Sequence, residues 1–217
     1  MWGVHTLSII MYLNTRTELI EPFGISRTTD SLSEPITLSE AKAHLRVLHS
    51  DDDVYIGTLI TASRQSLEIS TRRSLGASQT YKVFYDSYPT TYFKLLIPNP
   101  PLQSFTSLKY YDDNDVLQTI PTDQYTVETA GSGASFLAMK DTHSFPTVSI
   151  DRIAPVEIEF IAGYTSSTFP KPLHQAILML VAHYYDTREP VSFGDIPHKI
   201  QRTVDFIADQ YKVKKFF

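Results

Sequence analysis

The chain has 217 residues, of which 42% are hydrophobic and 20% charged, the balance of a globular protein that buries about 70% of its unfolded surface. A formal net charge of −5 disfavours sequence-specific nucleic-acid binding, which rests on basic patches, but it suits a weakly repulsive wall along which a polyanion slides. With no cysteine, disulfide frameworks and thiolate-held zinc or iron–sulfur centres are excluded.

Residues 1–35 mix Thr, Ser, Pro and Gly with scattered apolar side chains and read as an N-terminal arm, partly extended, of a kind that packs on a neighbour. Its apolar run Leu7-Ser-Ile-Ile-Met-Tyr-Leu13 is too short to span a bilayer and follows no basic residue, so neither a signal peptide nor a membrane anchor is expected. Met11 is an alternative start to Met1, because Met1 to Ile10 has no place in the pattern that follows.

At Thr37 the pattern sharpens. Thr37 and Glu40 form a T-x-x-E capping box, and the helix formers after it predict a helix from Leu38 to Leu48. Ser50 or Asp51 then caps a second helix, whose first turn places Asp52 and Asp53 at the positive end of the dipole. Its expected apolar side is Ile56, Leu59, Ile60, Ser63, Leu67 and Ser70, and Gly76 follows its end.

From Gln79 the period changes to two. Segments 80–85, 92–97, 104–111, 116–120, 124–127, 135–138 and 156–161 read as short strands. The turn formers between them, notably Pro98-Asn-Pro-Pro101, Asp112-Asp-Asn-Asp115 and Gly131-Ser-Gly133, suit hairpins in a mostly antiparallel sheet or small barrel. After Gly163 the helical period returns, with Pro172 in a first turn, Ala176, Ile177, Leu180, Val181 and Tyr184 on one face, and Pro190 as the stop. A last amphipathic helix carries Ile200, Val204, Ile207, Ala208 and Tyr211, and a tail of Lys212 to Phe217 follows.

The expected fold class is therefore α+β: a scaffold of about four helices, two N-terminal and two C-terminal, with an inserted, mostly antiparallel β-domain. The expected divisions are the arm (1–35), a helical hairpin (36–76), the β-domain (77–163), and C-terminal helices and tail (164–217) that pack with the hairpin.

Four segments in this order resemble the head-tail connector (adaptor) proteins of tailed bacteriophages and gene-transfer particles: the capped helix Thr37–Val47, the helix begun at Asp51–Asp53 with Glu68 near its end, the strand ending Phe160-Ile-Ala-Gly-Tyr164, and the helix Pro170–Arg188. Together with the sheet they cover most of residues 36–211. The resemblance implies a non-enzymatic structural subunit of the particle neck, made in the host cytoplasm. It would form a ring with copies of itself, commonly dodecameric, beneath the portal protein, extend the channel through which double-stranded DNA passes without specific binding, and offer a platform to a stopper or tail-terminator protein. It implies no cofactor and no membrane partner. The alternatives are a stopper or tail-completion protein of the same region, or a small β-domain binding module or hydrolase.

Candidate sites follow from charge and aromatic placement. Lys212, Lys214 and Lys215 with Phe216 and Phe217 form a tail whose rings can be buried while its ammonium groups meet an acidic surface, and docking on the portal is the expectation the resemblance gives it. Arg64, Arg72 and Arg73 are candidates to line a DNA channel, or else to pair with Glu68 at a helix end. Thr37, Glu40 and Asp51 are capping residues. No metal site is expected: Asp51–Asp53 is explained by helix-end electrostatics, Asp112–Asp115 lacks the glycine and distant glutamate of a calcium loop, and neither His44 and His49 nor His174 and His183 have the i, i+4 spacing of paired ligands. Nucleophile-elbow, phosphate-loop and H-E-x-x-H motifs are absent, so no catalytic residue is assigned.

Overall fold

Helix α1 (Leu38–Leu45) starts where the sequence caps it: the Glu40 N–H donates to the Thr37 hydroxyl at 3.2 Å, and the Thr37 N–H donates to the Glu40 carboxylate at 2.8 Å. It ends before the predicted Leu48 because Arg46 enters the left-handed region (φ 59°) and the Val47 N–H returns to the Lys42 carbonyl at 3.0 Å, a Schellman-type closure. The computed structural model describes residues 22–31, 33–88, 94–129, 133–140, 142–187 and 198–213, with the backbone alone for 198–201.

Helix α2 (Asp53–Thr71) begins later than a cap at Asp51 requires. The Asp53 N–H bonds to the Ser50 carbonyl and Asp52 takes the cap position, leaving the Asp51 carboxylate 91% exposed; the expected capping role of Asp51 is thus corrected. Asp52 makes no side-chain cap either, because its carboxylate accepts a hydrogen bond from Tyr185 on helix α3 (Lys171–Asp186). The buried stripe of α2 is Ile56, Leu59, Ile60, Ser63, Arg64, Leu67 and Thr71; Ser70, expected inside, is exposed. With Ala41 of α1, with Leu173, Ile177 and Val181 of α3, and with Val204 and Ala208 of α4 (His198–Tyr211), this stripe forms the helical core.

The remaining described elements are strands, paired antiparallel throughout. They are β1 (Gly24–Thr29), β2 (Gln79–Tyr85), β3 (Leu95–Ile97), β4 (Leu102–Tyr111), β5 (Leu117–Thr119), β6 (Tyr125–Thr129), β7 (Ser135–Met139) and β8 (Val156–Ala162). Five of them form one sheet in the order β1-β2-β8-β4-β5, and three form another in the order β3-β7-β6. The second core lies between the sheets: Tyr81, Val83 and Tyr85 stand in register with Phe160, Ile158 and Val156, and Leu95, Ile97 and Leu137 join them from the smaller sheet. The Tyr85 hydroxyl donates to the Leu96 carbonyl, so it satisfies its own polar group while tying the two sheets together. On the outer face of the large sheet, Lys82 lies 2.7 Å from Glu157 and 3.9 Å from Glu159.

The fold is α+β, with four helices and eight strands among the described residues. Strand β1 is the element the sequence pattern did not give; it lies within the segment read as an arm. Five of its six residues are exposed, so it lacks the alternation that marks a half-buried strand, and it is held by its ladder to β2.

Candidate assembly surfaces

The central polar feature is Arg64. It sits at i+4 from Ile60 and i−3 from Leu67, on the inward stripe of α2, and is only 1% exposed. Its guanidinium meets three carboxylates: Glu34 at 2.7 Å, Glu68 at 3.0 Å and Asp30 at 3.2 Å. Each acid is held by further partners. Thr61 donates to Glu34 at 2.9 Å, Gln79 donates to Asp30 at 3.0 Å, and Glu68 accepts from Arg27 at 2.9 Å and from the backbone N–H groups of Leu75 and Gly76. Burial on its own would raise the Asp30 pKa, but the hydrogen bonds from Gln79 and Ser31 and the charge of Arg64 outweigh it and bring the group down to about 2. Burial would lower the Arg64 pKa, and the Glu34 hydrogen bond with the charges of Glu68, Glu34 and Asp30 raises it instead. Arg64 is therefore a structural cation joining the 27–34 segment to α2. In the folded subunit its side chain does not face solvent, which corrects its place among the channel-lining candidates.

Gly163 closes the same junction between the layers. Its φ is +132°, and a Cβ there would lie 2.0 Å from the Gly76 carbonyl oxygen, so only glycine lets the end of β8 pass the loop that follows α2.

The other predicted cations gather at the end of α2. Arg72 caps that helix in the left-handed conformation (φ 56°) and is exposed. Arg73 is half-buried; its Nε donates to the Tyr211 carbonyl and its Nη1 to the Tyr164 hydroxyl at 3.3 Å. The Val213 N–H donates to the Thr71 carbonyl at 2.9 Å, so the chain leaving α4 is fastened to the end of α2. Exposed Lys212, 3.8 Å from Asp209, stands beside this junction, and two groups that the sequence treated separately share one corner of the molecule. Lys214, Lys215, Phe216 and Phe217 lie outside the described residues. Thr37 and Glu40 form their box, and Glu40 is also 3.5 Å from His174.

Asp112 to Asp115 form the β4–β5 turn: the Asp112 carboxylate accepts the N–H groups of Asn114 and Val116, each at 3.0 Å, and Asp115 pairs with Arg152. Among the described residues no cluster of three or more His, Asp or Glu side chains is placed to hold a metal, and no helix is long and apolar enough to cross a membrane. The residues that sequence reasoning missed are Arg27, Asp30 and Glu34. The signal that could have found them is Arg64 itself, since an arginine on an apolar stripe requires acids from elsewhere.

Comparison with known proteins agrees with this architecture. Residues 35–97, which span α1, α2, β2 and β3, match the family described as phage gp6-like head-tail connector protein. Among curated proteins none matches the sequence. Among solved structures, a chain from the neck of an empty gene transfer agent (GTA) particle, computed with C6 symmetry, superposes with a TM-score of 0.71 at 18% identity, covering 90% of this chain and 98% of its own. A chain from the virion of a native GTA particle gives 0.70 at 18% identity (89% and 97% covered), and one from the neck of a native GTA particle, computed with C12 symmetry, gives 0.69 at 17% (90% and 98%). Residues 35–97 thus carry the sequence signature of the phage gp6-like head-tail connector family, on a fold that 89–90% of the chain shares with chains of gene transfer agent particles.

Proposed function

We propose that this protein is a structural head-tail connector (adaptor) subunit of a tailed phage or phage-like particle, which forms a ring under the portal, extends the DNA channel and receives the stopper or tail. The observation that carries the reading is a coincidence of two independent likenesses: the connector-family match in the helical hairpin and its first strands, and the near full-length fold match to chains of particle necks. Those necks were computed with C6 and C12 symmetry, which supports a closed ring in which modest contacts, repeated around the circle, become strong collectively.

The subunit acts by assembly and carries no catalytic role. Its station is the particle neck, reached after synthesis in the host cytoplasm. Lys212 and the residues that follow it dock on the portal, and Arg72 and Arg73 at the same corner face the channel, where they meet DNA phosphates without reading sequence. The test is to mix the purified protein with portal-bearing, tail-less capsids and image the portal vertex by cryo-electron microscopy. A new ring beneath the portal is expected; no ring at saturating protein refutes the connector assignment. Removal of Lys212 to Phe217 is expected to abolish attachment, and unchanged attachment would refute the docking role of the tail.

A further inference from the structure

An open groove of about 550 Å³ lies between the C-terminal half of α2, strand β1 and the Pro98–Pro100 bend. Its apolar walls include Ile69, 80% exposed, and Ile25, 46% exposed, with Ile97 and Pro98 behind them. A bare apolar surface of this kind is costly to leave in water and marks a contact site.

We propose that in the free subunit this groove seats the chain's own tail, with Phe216 and Phe217 against those walls, and that the portal draws the tail out on assembly; the second half rests on the docking reading given above. The path of the chain selects that occupant. Helix α4 approaches the end of α2 from alongside it: Val204, Asp205 and Ala208 share a small cavity with Ser66, Leu67 and Ser70, after which the Tyr211 carbonyl accepts from Arg73 and the Val213 N–H donates to the Thr71 carbonyl. The chain thus passes the end of α2 and arrives at Val213, which is itself part of the groove wall. Phe216 and Phe217 follow three and four residues later, within about 14 Å of Val213 even when extended, so the tether holds both rings at a high local concentration beside the apolar walls.

The arm meets the groove at its other end. Pro22 lines it there, and the register of β1, from Thr29 beside Thr80 to Gly24 beside Phe84, carries the upstream chain away from the start of β2 and so away from the end of α2. Charge is not what holds the tail. Arg27, Arg72 and Arg73 oppose Lys214 and Lys215, and Glu68 in the lining is already taken by Arg27 and Arg64. The seat is apolar, the lysine stems leave their ammonium groups in water, and salt that screens the arginines tightens it.

The chain has one tryptophan, Trp2, so Trp2→Phe with Phe217→Trp puts a single reporter on the tail. In the full-length protein, without portal, its emission is expected to be blue-shifted and shielded from acrylamide relative to the urea-unfolded chain, and to stay so in added salt. Ile69→Arg, a change at an exposed position whose fold is checked by circular dichroism, is expected to return both readings towards the unfolded values. A reporter as open in the folded protein as in the unfolded one, one released by salt, or one unmoved by Ile69→Arg would overturn the seat and leave portal docking standing. In the chain's cysteine-free background, Ile69→Cys with Phe217→Cys is expected to close a disulfide within one chain on mild oxidation and to lower attachment to portal-bearing capsids relative to the same protein reduced. Failure to close overturns the seat; attachment unchanged by the closed disulfide overturns the release.

Discussion

Replacing Arg64 by alanine is the most searching perturbation of the fold. The guanidinium is 1% exposed and holds three carboxylates within 3.2 Å, so its loss leaves Asp30, Glu34 and Glu68 facing one another around an empty space. Removing one partner of a buried ionic cluster costs about 3–5 kcal/mol. For a chain of this length each kcal/mol moves the melting temperature by about 2–4 °C, so a fall of roughly 10 °C at pH 7 is expected. The loss must also depend on pH. In the intact protein the Asp30 pKa of about 2 lies below the ordinary 3.8, so its contribution is complete above about pH 4 and disappears as pH falls through 2. The full shift would correspond to about 2 kcal/mol, and because the Asp30 side chain is 39% exposed, solvent screening reduces this to about 1 kcal/mol. The Arg64→Ala variant keeps the Gln79 and Ser31 hydrogen bonds to Asp30 and lacks only the part of that contribution owed to Arg64, and protonation relieves repulsion among its acids, so its deficit shrinks as pH falls from 7 towards 3. Thermal unfolding followed by circular dichroism across that range is the assay, with Arg64→Met as a variant that keeps the volume but not the charge. A fall of less than 2 °C at pH 7, or a deficit that both variants show unchanged at every pH, would refute the electrostatic account.

Gly163→Ala places a Cβ 2.0 Å from the Gly76 oxygen at a φ of +132°, and is expected to cost about 3 kcal/mol or more, read as a lower denaturant midpoint with an unchanged slope. Thr37→Ala removes one half of the α1 capping box and should cost about 1 kcal/mol, measured the same way; Thr37→Ser should restore most of it. Phe160→Ala empties a fully buried position stacked on Tyr81, with ring centroids 5.5 Å apart, and should cost about 3–5 kcal/mol, with loss of near-ultraviolet circular dichroism from the β-domain.

Much of the architecture was legible because each element carries its own periodicity. The strands β2 and β8 alternate buried and half-buried residues without a break, and α2 and α3 carry apolar stripes that end at recognisable stops. Legibility failed where an element is held by neighbours and not by its own pattern. Strand β1 has almost no inward face, and Asp51 has the chemistry of a cap but sits one residue before the backbone turns. The sites divide in the same way. Arg72, Arg73 and Lys212 could be named from charge, but their meeting at one corner depends on the Val213–Thr71 hydrogen bond, a contact between residues 142 positions apart that no local pattern encodes. Arg64 could be named, yet its role could not, because two of its three acids lie in a stretch whose composition resembles a linker.

The segment from Gly24 to Glu34 also has a mechanical meaning. Its first half is zipped to the edge of the large sheet, and its second half is clamped to α2 by the Arg64 cluster. A pull on the chain upstream of Pro22 would meet the ladder rungs of β1 one at a time, the weak direction for a strand pair, and would then come up against an ionic anchor seated in the helical core. Such a strap would release from the sheet edge before either core carried the load.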